Sequence, residues 1–298
     1  MRNLLTAAAC TTLVGTQAVH ADETGHRETI WTLLDVVNAY DADTVCAVLR
    51  PECWQHTPYI PDGAEGFLSL YPALELAGVT VETVLNLEGG NSDVAFNRWS
   101  NAEIFGHGCN KMVAFGFYEF HEDGRMSANW DAMMCDTPPN ASSQGLTDNI
   151  APITDLELTE ENKAKLTAAF DVFITGTPEE AYATLRSKFH ADCLQHNPDG
   201  SDGIEGFLAA QTSAAVVSRW QFTELHRLIG EGSYVLAISE GDHVDVHSVF
   251  YDLVRFEDGK GAAHWDVIQA VPTEGLANDN TMFTLNEAIL GAVPGQQT

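Results

Sequence analysis

Basic residues are scarce in this sequence. Its 298 residues contain 14 lysines and arginines against 43 aspartates and glutamates, which gives a formal net charge of −29. Nucleic acids and anionic membranes are bound by clustered Lys and Arg, so neither is an expected partner. We interpret the charge as a source of solubility, because a strongly charged surface keeps protein molecules apart.

Several motifs of cofactor and metal enzymes are also missing. The sequence has no Gly-rich phosphate loop, no HExxH motif, no Ser nucleophile elbow and no Cys-x-x-Cys pair. These patterns hold phosphates, zinc, an acyl-transferring serine or a redox-active disulfide. The sequence therefore predicts no cofactor and no metal in the main site.

A weaker metal-ligand pattern lies near the end of the chain. His243, Asp245 and His247 alternate along an expected strand and could bind a metal together. Their parity along that strand is opposite to that of Asp252, which places them outside the expected pocket. A solvated strand is the preferred interpretation.

Long apolar segments are confined to the N-terminus. Residues 1–21 contain an early Arg, an uncharged apolar stretch and a final Ala before the first acidic residue. This layout is typical of a cleaved secretory signal, so we expect the protein to be periplasmic or secreted. No later segment approaches the ~20 apolar residues of a membrane span.

Removal of that signal leaves five of the six cysteines, which are Cys46, Cys53, Cys109, Cys135 and Cys193. An odd number means that one thiol is unpaired or pairs between chains. Cys46 with Cys53, and Cys109 with Cys135, are plausible disulfides in an oxidising compartment. Spacing alone does not fix the connectivity.

The sequence contains the same pattern twice. Residues 53–68 and 193–208 align without a gap at an offset of 140, and 10 of the 16 positions are identical. Residues 122–131 and 257–266 share Glu-Asp-Gly and Trp-Asp at an offset of 135. Repeats in the same order indicate a duplicated domain. The predicted organisation is a signal at 1–21, a first domain at 22–135, a linker rich in Pro, Ser and Asn at 136–157, a second domain at 158–283 and a C-terminal tail at 284–298.

Helical patterns precede a series of strands in each copy. Caps and apolar spacing predict helices near 28–40, 43–49 and 64–77, and in the second copy from 159, from 177 to 190 and from 202. Alternation predicts strands near 79–87, 94–101, 111–121, 126–133, 220–229, 234–239, 244–256 and 262–271. Helices followed by antiparallel strands indicate an α+β fold. Each domain is expected to be a cone, with a helical hairpin and a third helix packed on a curved antiparallel sheet.

The motifs of the second copy resemble the SnoaL-like branch of the NTF2-like superfamily, which includes proteins described as aldol-condensation-catalysing enzymes. The resemblance rests on Gln-His-Asn-Pro at 195–198, Asp-Gly-x-Glu-Gly-Phe at 202–207 and His-Trp-Asp-Val-Ile-Gln at 264–269. It covers about residues 158–283 well and residues 26–135 less well. It implies a small-molecule pocket and cofactor-independent isomerase, cyclase or aldol chemistry on a carbonyl compound.

Hairpin register suggests a candidate acid–base pair. If residues 257–259 form a three-residue loop, Phe256 faces Lys260, and Asp252 lies opposite His264. A carboxylate and an imidazole would then meet in a half-apolar setting that suits proton transfer. We predict Asp252 as a base and His264 as its partner or as the acid.

Other side chains could complete this site. The same register places Phe250 opposite Asp266, and the resemblance implies that His196 approaches the cavity. We predict His196 as a third catalytic residue that orients the ligand together with Asp266. Phe250 and Trp265 are predicted ligand contacts, although Trp265 would serve equally as a core anchor.

The first copy lacks the candidate pair. Subtracting 135 from Asp252 and His264 gives Phe117 and Asn129. We therefore expect one intact pocket in the second domain and a degenerate, mainly structural first domain. A structural role common to both copies would explain the residues that both retain, His56 with His196 and Asp131 with Asp266.

Three kinds of function stay open at this point. The first is acid–base chemistry on a small apolar carbonyl compound, and the second is non-catalytic binding of a small hydrophobic ligand. The third is a structural pseudo-dimer, or a homo-oligomer, that pairs through its sheets. An enzyme should bury Asp252 beside His264, a carrier needs cavity volume, and a structural protein should fill its concave faces with aromatic residues.

Overall fold

The computed structural model describes residues 23–212 and 220–283. Its described strands form two five-stranded sheets, one drawn from residues 49–135 and the other from residues 189–270. Each sheet packs helices on one face and the other sheet on its opposite face. The predicted α+β fold is confirmed.

The element order in the two domains is the same except that the first has a further helix before its second strand. The first contains α1 (Glu23–Ala39), α2 (Ala42–Val48), β1 (Leu49–Gln55), α3 (Gly63–Leu68), α4 (Tyr71–Ala77), β2 (Thr80–Glu88), β3 (Ser92–Ser100), β4 (Lys111–Phe120) and β5 (Met126–Cys135). The second contains α5 (Thr159–Thr175), α6 (Pro178–Lys188), β6 (Phe189–Gln195), α7 (Ile204–Thr212), β7 (Trp220–Glu231), β8 (Tyr234–His243), β9 (Val246–Glu257) and β10 (Lys260–Ala270). None of the described helices is long and apolar enough to cross a membrane. The predicted signal and the predicted C-terminal tail lie outside the described residues.

Two strands are absent from the sequence-based prediction. β1 and β6 each begin directly after a helix, and β1 contains Pro51, so neither shows a bounded alternating pattern. They pair in parallel with β5 and β10, which makes each sheet mixed where a fully antiparallel one was predicted. The repeated Cys-x-Gln-His motif therefore lies at the end of this added strand.

The predicted helix at 64–77 is also two helices. α3 ends at Leu68, and α4 has Pro72 in its first turn. Proline lacks a backbone N–H and restricts its predecessor, so it is accommodated where a helix begins and not in its middle.

The two sheets enclose a shared apolar layer. Trp130 and Trp265 are almost fully buried in it, and Phe115 stacks on Tyr251 across the sheets at a ring separation of 6.1 Å. Trp265 thus lies on the face of its sheet opposite the helices. The prediction of Trp265 as a ligand contact is wrong, because the partner sheet covers its ring.

The segment that follows the first domain packs on the second. In this linker arm, residues 136–157, the carbonyl of Gly145 accepts a hydrogen bond from His196 Nδ1 at 2.8 Å. The carbonyl of Asp148 accepts one from Trp265 Nε1 at 3.0 Å. The linker is thus an ordered arm that satisfies buried donors of the second domain.

The segment that follows the second domain makes the reciprocal contacts. In this tail arm, residues 271–283, the carbonyl of Thr281 accepts a hydrogen bond from His56 Nδ1 at 2.7 Å. The carbonyl of Phe283 accepts one from Trp130 Nε1 at 3.2 Å. Each domain therefore packs against the arm that follows the other domain. The repeated histidines His56 and His196 each bond one of these exchanged arms.

The cysteines differ in whether they form disulfides. Cys109 and Cys135 form a disulfide, as predicted. Cys53 and Cys193 are free, buried thiols at matching points of β1 and β6. The expected pairing of Cys46 with Cys53 is therefore wrong.

Candidate functional site

The β9–β10 hairpin turns on two residues. Asp258 and Gly259 both have positive φ, at 47° and 75°, and Glu257 pairs with Lys260. Positive φ at both residues of a two-residue loop defines a type I′ turn, whose twist matches that of the flanking strands. The predicted three-residue loop is wrong by one residue.

A bulge adds a second shift of one residue. It lies between Gly261 and Ala263, where the register with β9 changes. The two shifts together move the register by two residues, so every side chain keeps its face of the sheet. Asp252 consequently lies opposite Asp266, and His264 occupies the neighbouring diagonal position.

Asp252 and His264 meet on the helix-facing side of the second sheet. His264 Nε2 lies 3.1 Å from Asp252 Oδ1, and its Nδ1 lies 2.9 Å from Gln195 Oε1. Gln195 Oε1 also accepts the backbone N–H of Asn197 at 2.9 Å, which identifies it as the oxygen. His264 Nδ1 therefore donates to Gln195, and when the ring is protonated its Nε2 donates to Asp252, as in an imidazolium.

The pKa of His264 follows from opposing effects. Burial alone would lower it, but the hydrogen bond that the ring donates to Asp252 and the negative charges of Asp266 and Asp252 hold it above its ordinary value. His264 and Asp252 thus form a hydrogen-bonded dyad within a buried site.

Asp266 is the second carboxyl group of this site. Burial raises its pKa to about 6, against the lowering effect of the His264 charge. Its Oδ2 accepts a hydrogen bond from Asn197 Nδ2 at 2.7 Å. Its Oδ1, and Oδ2 of Asp252, have no hydrogen-bond partner among the described residues. The site thus holds two buried carboxyl oxygens with free acceptor capacity.

These groups line a small apolar chamber. Its volume is about 60 Å³, room for roughly four to six waters. The predicted contact Phe250 lies in the wall, with aromatic residues of α5, α7 and β7 nearby. The chamber is lined by Phe170, Phe173, Phe189, Phe207, Trp220, Phe222, Phe250, Val254, Ile268 and the polar residues Gln195, Asn197, Asp252, His264 and Asp266, among others.

His196 does not reach this chamber. Its ring stacks on Trp265 at 4.6 Å and its Nδ1 bonds the linker arm. Burial is the main cause that lowers its pKa. The prediction that His196 is a catalytic residue at the chamber is wrong in placement, because the residue follows β6 and points toward the arm.

The residues beside it were missed. Gln195 and Asn197 flank His196 in the same motif, and they hold His264 and Asp266 in place. The repeated Gln in both copies was the available signal for Gln195. Its contact with β10 depends on the unpredicted parallel strand β6.

The first domain replaces the dyad with neutral groups. Its β4–β5 connection is one residue longer, so the structural counterpart of Asp252 is Gly116, not Phe117. A Cβ on Gly116 would lie 2.2 Å from the Tyr118 hydroxyl oxygen, so Tyr118 occupies the space of the missing side chain. Asn129 replaces His264.

The first domain nevertheless encloses the larger cavity. This chamber has a volume of about 570 Å³ and contains the Asp131 carboxyl group. Burial raises the pKa of Asp131 to about 6, against a hydrogen bond from Thr57. Asp131 and Asp266 are therefore chamber groups in both domains, and the expected structural role holds only for the two histidines.

The pattern His243, Asp245, His247 does not form one strand face. Val244 and Asp245 form a turn with positive φ, which separates His243 on β8 from His247 on β9. His247 instead bonds Glu240 at 2.8 Å. The alternation that suggested a shared face is a hairpin turn.

Among the residues that the structure describes, two clusters of acidic and histidine side chains have a spacing that a cation could use. One is the dyad with Asp266, and the other is formed by Glu224, His226 and Glu240. In each cluster a His ring nitrogen already bonds a carboxylate oxygen, at 3.1 and 2.9 Å. Hydrogen bonding accounts for both arrangements.

No family model matches the chain, and no curated protein matches it. Solved structures that it resembles include a candidate ketosteroid isomerase from Kribbella flavida, at 17% identity over 47% of this chain and 94% of that chain, with a TM-score of 0.32. A candidate SnoaL-like polyketide cyclase from Jannaschia sp. CCS1 is 17% identical over 40% of this chain and 91% of that one, with a TM-score of 0.32. An NTF2-like protein of unknown function from Mesorhizobium loti is 16% identical over 40% and 99%, with a TM-score of 0.32. The structural neighbours of this chain thus include SnoaL-like and NTF2-like proteins, at low identity and partial coverage.

Proposed function

We propose that the second domain performs cofactor-independent acid–base chemistry on a small carbonyl compound, as an isomerase, cyclase or aldol-type enzyme does. The observation that carries this proposal is the free Oδ2 of Asp252 in a buried chamber, with Oδ1 of the same carboxylate held by the His264 imidazolium. An ionised carboxylate in an apolar site is a competent base for a carbon acid.

The reaction begins with proton transfer. Asp252 Oδ2 takes a proton from the carbon next to the carbonyl group, and the C–H electrons move to the carbonyl oxygen to form an enolate. Asp266, when protonated, donates a hydrogen bond to that oxygen. The proton then returns from Asp252 to a carbon of the enolate, or the enolate attacks a second carbonyl carbon and the alkoxide that forms takes the proton from Asp252. Asp266 is suited to donate because its pKa is about 6.

The imidazolium has a supporting role in this scheme. Both N–H groups of His264 are already used, one by Asp252 and one by Gln195. His264 therefore orients Asp252, and it has no N–H group left to donate to the substrate. This assigns His264 as the partner of the base.

The chamber volume limits the substrate. A cavity of about 60 Å³ admits only a compound of few heavy atoms. It is too small for a carrier of an ordinary hydrophobic ligand, since such sites usually measure about 300–1,000 Å³. The aromatic filling of this domain, by contrast, agrees with the structural alternative, and an activity assay separates the two.

We also propose that the protein is exported to the periplasm or the medium. The Cys109–Cys135 disulfide supports this, because such bonds persist in oxidising compartments. Intact-mass measurement of the exported protein should show loss of residues 1–21, and a chain of full mass in the cytosol would contradict the proposal.

Deuterium exchange tests the acid–base proposal. Acetone, butanone and small aldehydes are incubated in D₂O with the mature protein, and exchange next to the carbonyl group is followed by NMR. We expect Asp252→Asn to reduce exchange by about 10²-fold or more, and His264→Ala to reduce it through loss of the contact that orients Asp252.

The matched control is Asp258→Asn, which removes the same charge from the exposed turn of the same hairpin. It should exchange as the unaltered protein does. If the unaltered protein gives no exchange with any compound, or if Asp252→Asn exchanges at the full rate, the proposal is wrong.

A further inference from the structure

A loop found only in the first domain forms one wall of its chamber. β3 and β4 are joined by residues 101–110, whereas β8 and β9 are joined by the two-residue turn Val244 and Asp245. Ile104, Phe105 and His107 of this loop line the chamber. The loop therefore contributes to a cavity of about 570 Å³, whereas the chamber of the second domain measures about 60 Å³.

The loop is fixed in place at two points, Phe105 and Cys109. The disulfide joins Cys109 to Cys135 at the end of β5, and Phe105 packs edge-on against Trp99 of β3 at 5.6 Å. A covalent link and an aromatic contact hold the wall against the sheet. The chamber is thus preformed, as small-molecule sites usually are.

The other walls are apolar. They come mainly from α1, β1, α3, α4, β3 and β5, with Tyr118 of β4 and Gln269 of β10 also at the chamber. No lysine or arginine is among the described residues that line it, and the apolar lining includes Leu33, Leu49, Leu70, Leu74 and Met126. A ligand here must be largely apolar to replace water on these surfaces.

One end of the chamber is polar, and one group there lacks a partner. Asn129 Nδ2 donates to Gln55 Oε1 and to Thr57 Oγ1, both at 3.2 Å. Asp131 bonds Thr57, but its Oδ1 is buried without a hydrogen-bond partner. A buried carboxyl oxygen that lacks a donor is costly, and a ligand that supplies the donor removes that cost.

From this geometry we infer that the chamber of the first domain is a second binding site, for an apolar molecule with one hydrogen-bond-donating end that bonds Asp131 Oδ1. The donor is a hydroxyl or an amine group. The volume of about 570 Å³ lies in the range of small-molecule sites. This site does not depend on the acid–base proposal, because it lies in the other domain and lacks the Asp–His dyad.

N-phenyl-1-naphthylamine is a suitable probe, since it is apolar, carries one N–H donor and becomes fluorescent when it leaves water. We expect saturable binding to the intact mature protein with one site per chain. Leu70→Trp, which adds a ring to the chamber wall, should weaken binding by about tenfold or more. Leu76→Trp is the matched control, because Leu76 lies on α4, which begins directly after Leu70, and is 91% exposed. It should bind as the unaltered protein does.

Asp131→Asn tests whether the ligand donates a hydrogen bond to Asp131. The substitution should weaken binding of the amine probe by about fivefold to tenfold and leave binding of the donor-free analogue 1-phenylnaphthalene unchanged. Only the amine probe loses a hydrogen bond to a charged acceptor. A hydroxyl probe, 4-phenyl-1-naphthol, should lose affinity in Asp131→Asn as the amine probe does, because both present one neutral donor to the same oxygen. Equal effects of Asp131→Asn on the amine probe and its donor-free analogue, or unaltered binding in Leu70→Trp with native circular dichroism, would overturn the inference.

Discussion

Asp252 lies directly opposite Asp266 on the neighbouring strand, yet it bonds the diagonal residue His264 at 3.1 Å. Two facing carboxyl groups would repel if both were ionised without compensation. The imidazolium between them offsets one charge, and the raised pKa of Asp266 reduces the other. The arrangement of Asp252, His264 and Asp266 can be tested by titration of the His264 ring.

The His264 ring should titrate above the ordinary range of a histidine. Its pKa is raised by Asp252 and Asp266 against burial, and Asp252→Asn removes the strongest raising contact. We expect the pKa of His264, followed by NMR of the ring nitrogens, to fall in Asp252→Asn because burial then dominates. An unchanged titration would show that the Asp252 contact does not form in solution.

Stability should respond to Asp93, which lies between the domains near Arg27. Burial is the main cause that raises its pKa to about 8, and the Glu88 charge raises it further. The folded state then binds its proton more tightly than the unfolded chain does, so its contribution to stability falls as the pH rises from about 4 to 8.

Asp93→Asn should therefore raise the free energy of unfolding by about 1–3 kcal/mol at pH 8 and by little at pH 4. Thermal unfolding over that pH range measures the difference. Asp258→Asn serves as the exposed control. A gain in Asp93→Asn that does not vary with pH would contradict the assignment.

The two arm histidines should matter for stability. His56→Ala and His196→Ala each remove a buried hydrogen bond to an arm and a stack on a tryptophan. We expect each to lower the free energy of unfolding by about 1–3 kcal/mol, and limited proteolysis to cut the arm that loses its anchor. Cleavage elsewhere, with the arms intact, would argue against the exchange.

Removal of the Cys109–Cys135 disulfide should destabilise the first domain. The bond closes a segment with a sequence separation of 26, so its loss in the paired change to serine costs about 2–4 kcal/mol. Denaturant unfolding monitors stability, and the amine probe monitors the chamber. Because loop 101–110 is a wall, we expect probe affinity to fall even where the protein stays folded.

The sequence placed Asp252 and His264 on one face although their register was wrong. Side chains alternate with a period of two, so an error of two residues leaves the face intact. Two local features caused the error in register: the turn at Asp258 is one residue shorter than predicted, and a bulge lies beside Gly261. A single sequence does not specify such features well.

The sequence could not indicate which domain holds the larger cavity. The first copy lacks the Asp–His dyad, which suggested a degenerate site. Cavity volume, however, depends on loop 101–110 and on aromatic side chains such as Phe222 that fill the second chamber. His196 was likewise misplaced, because its partner Gly145 belongs to an arm from the other half of the chain. Such contacts arise from tertiary structure.

The exchanged arms make each half of the chain depend on the other. Each half supplies the carbonyl groups that its counterpart needs for a buried histidine and tryptophan. Deletion of either half would leave these donors in the other half without their acceptors. We therefore expect neither half to fold as a stable unit on its own, whatever chemistry its chamber holds.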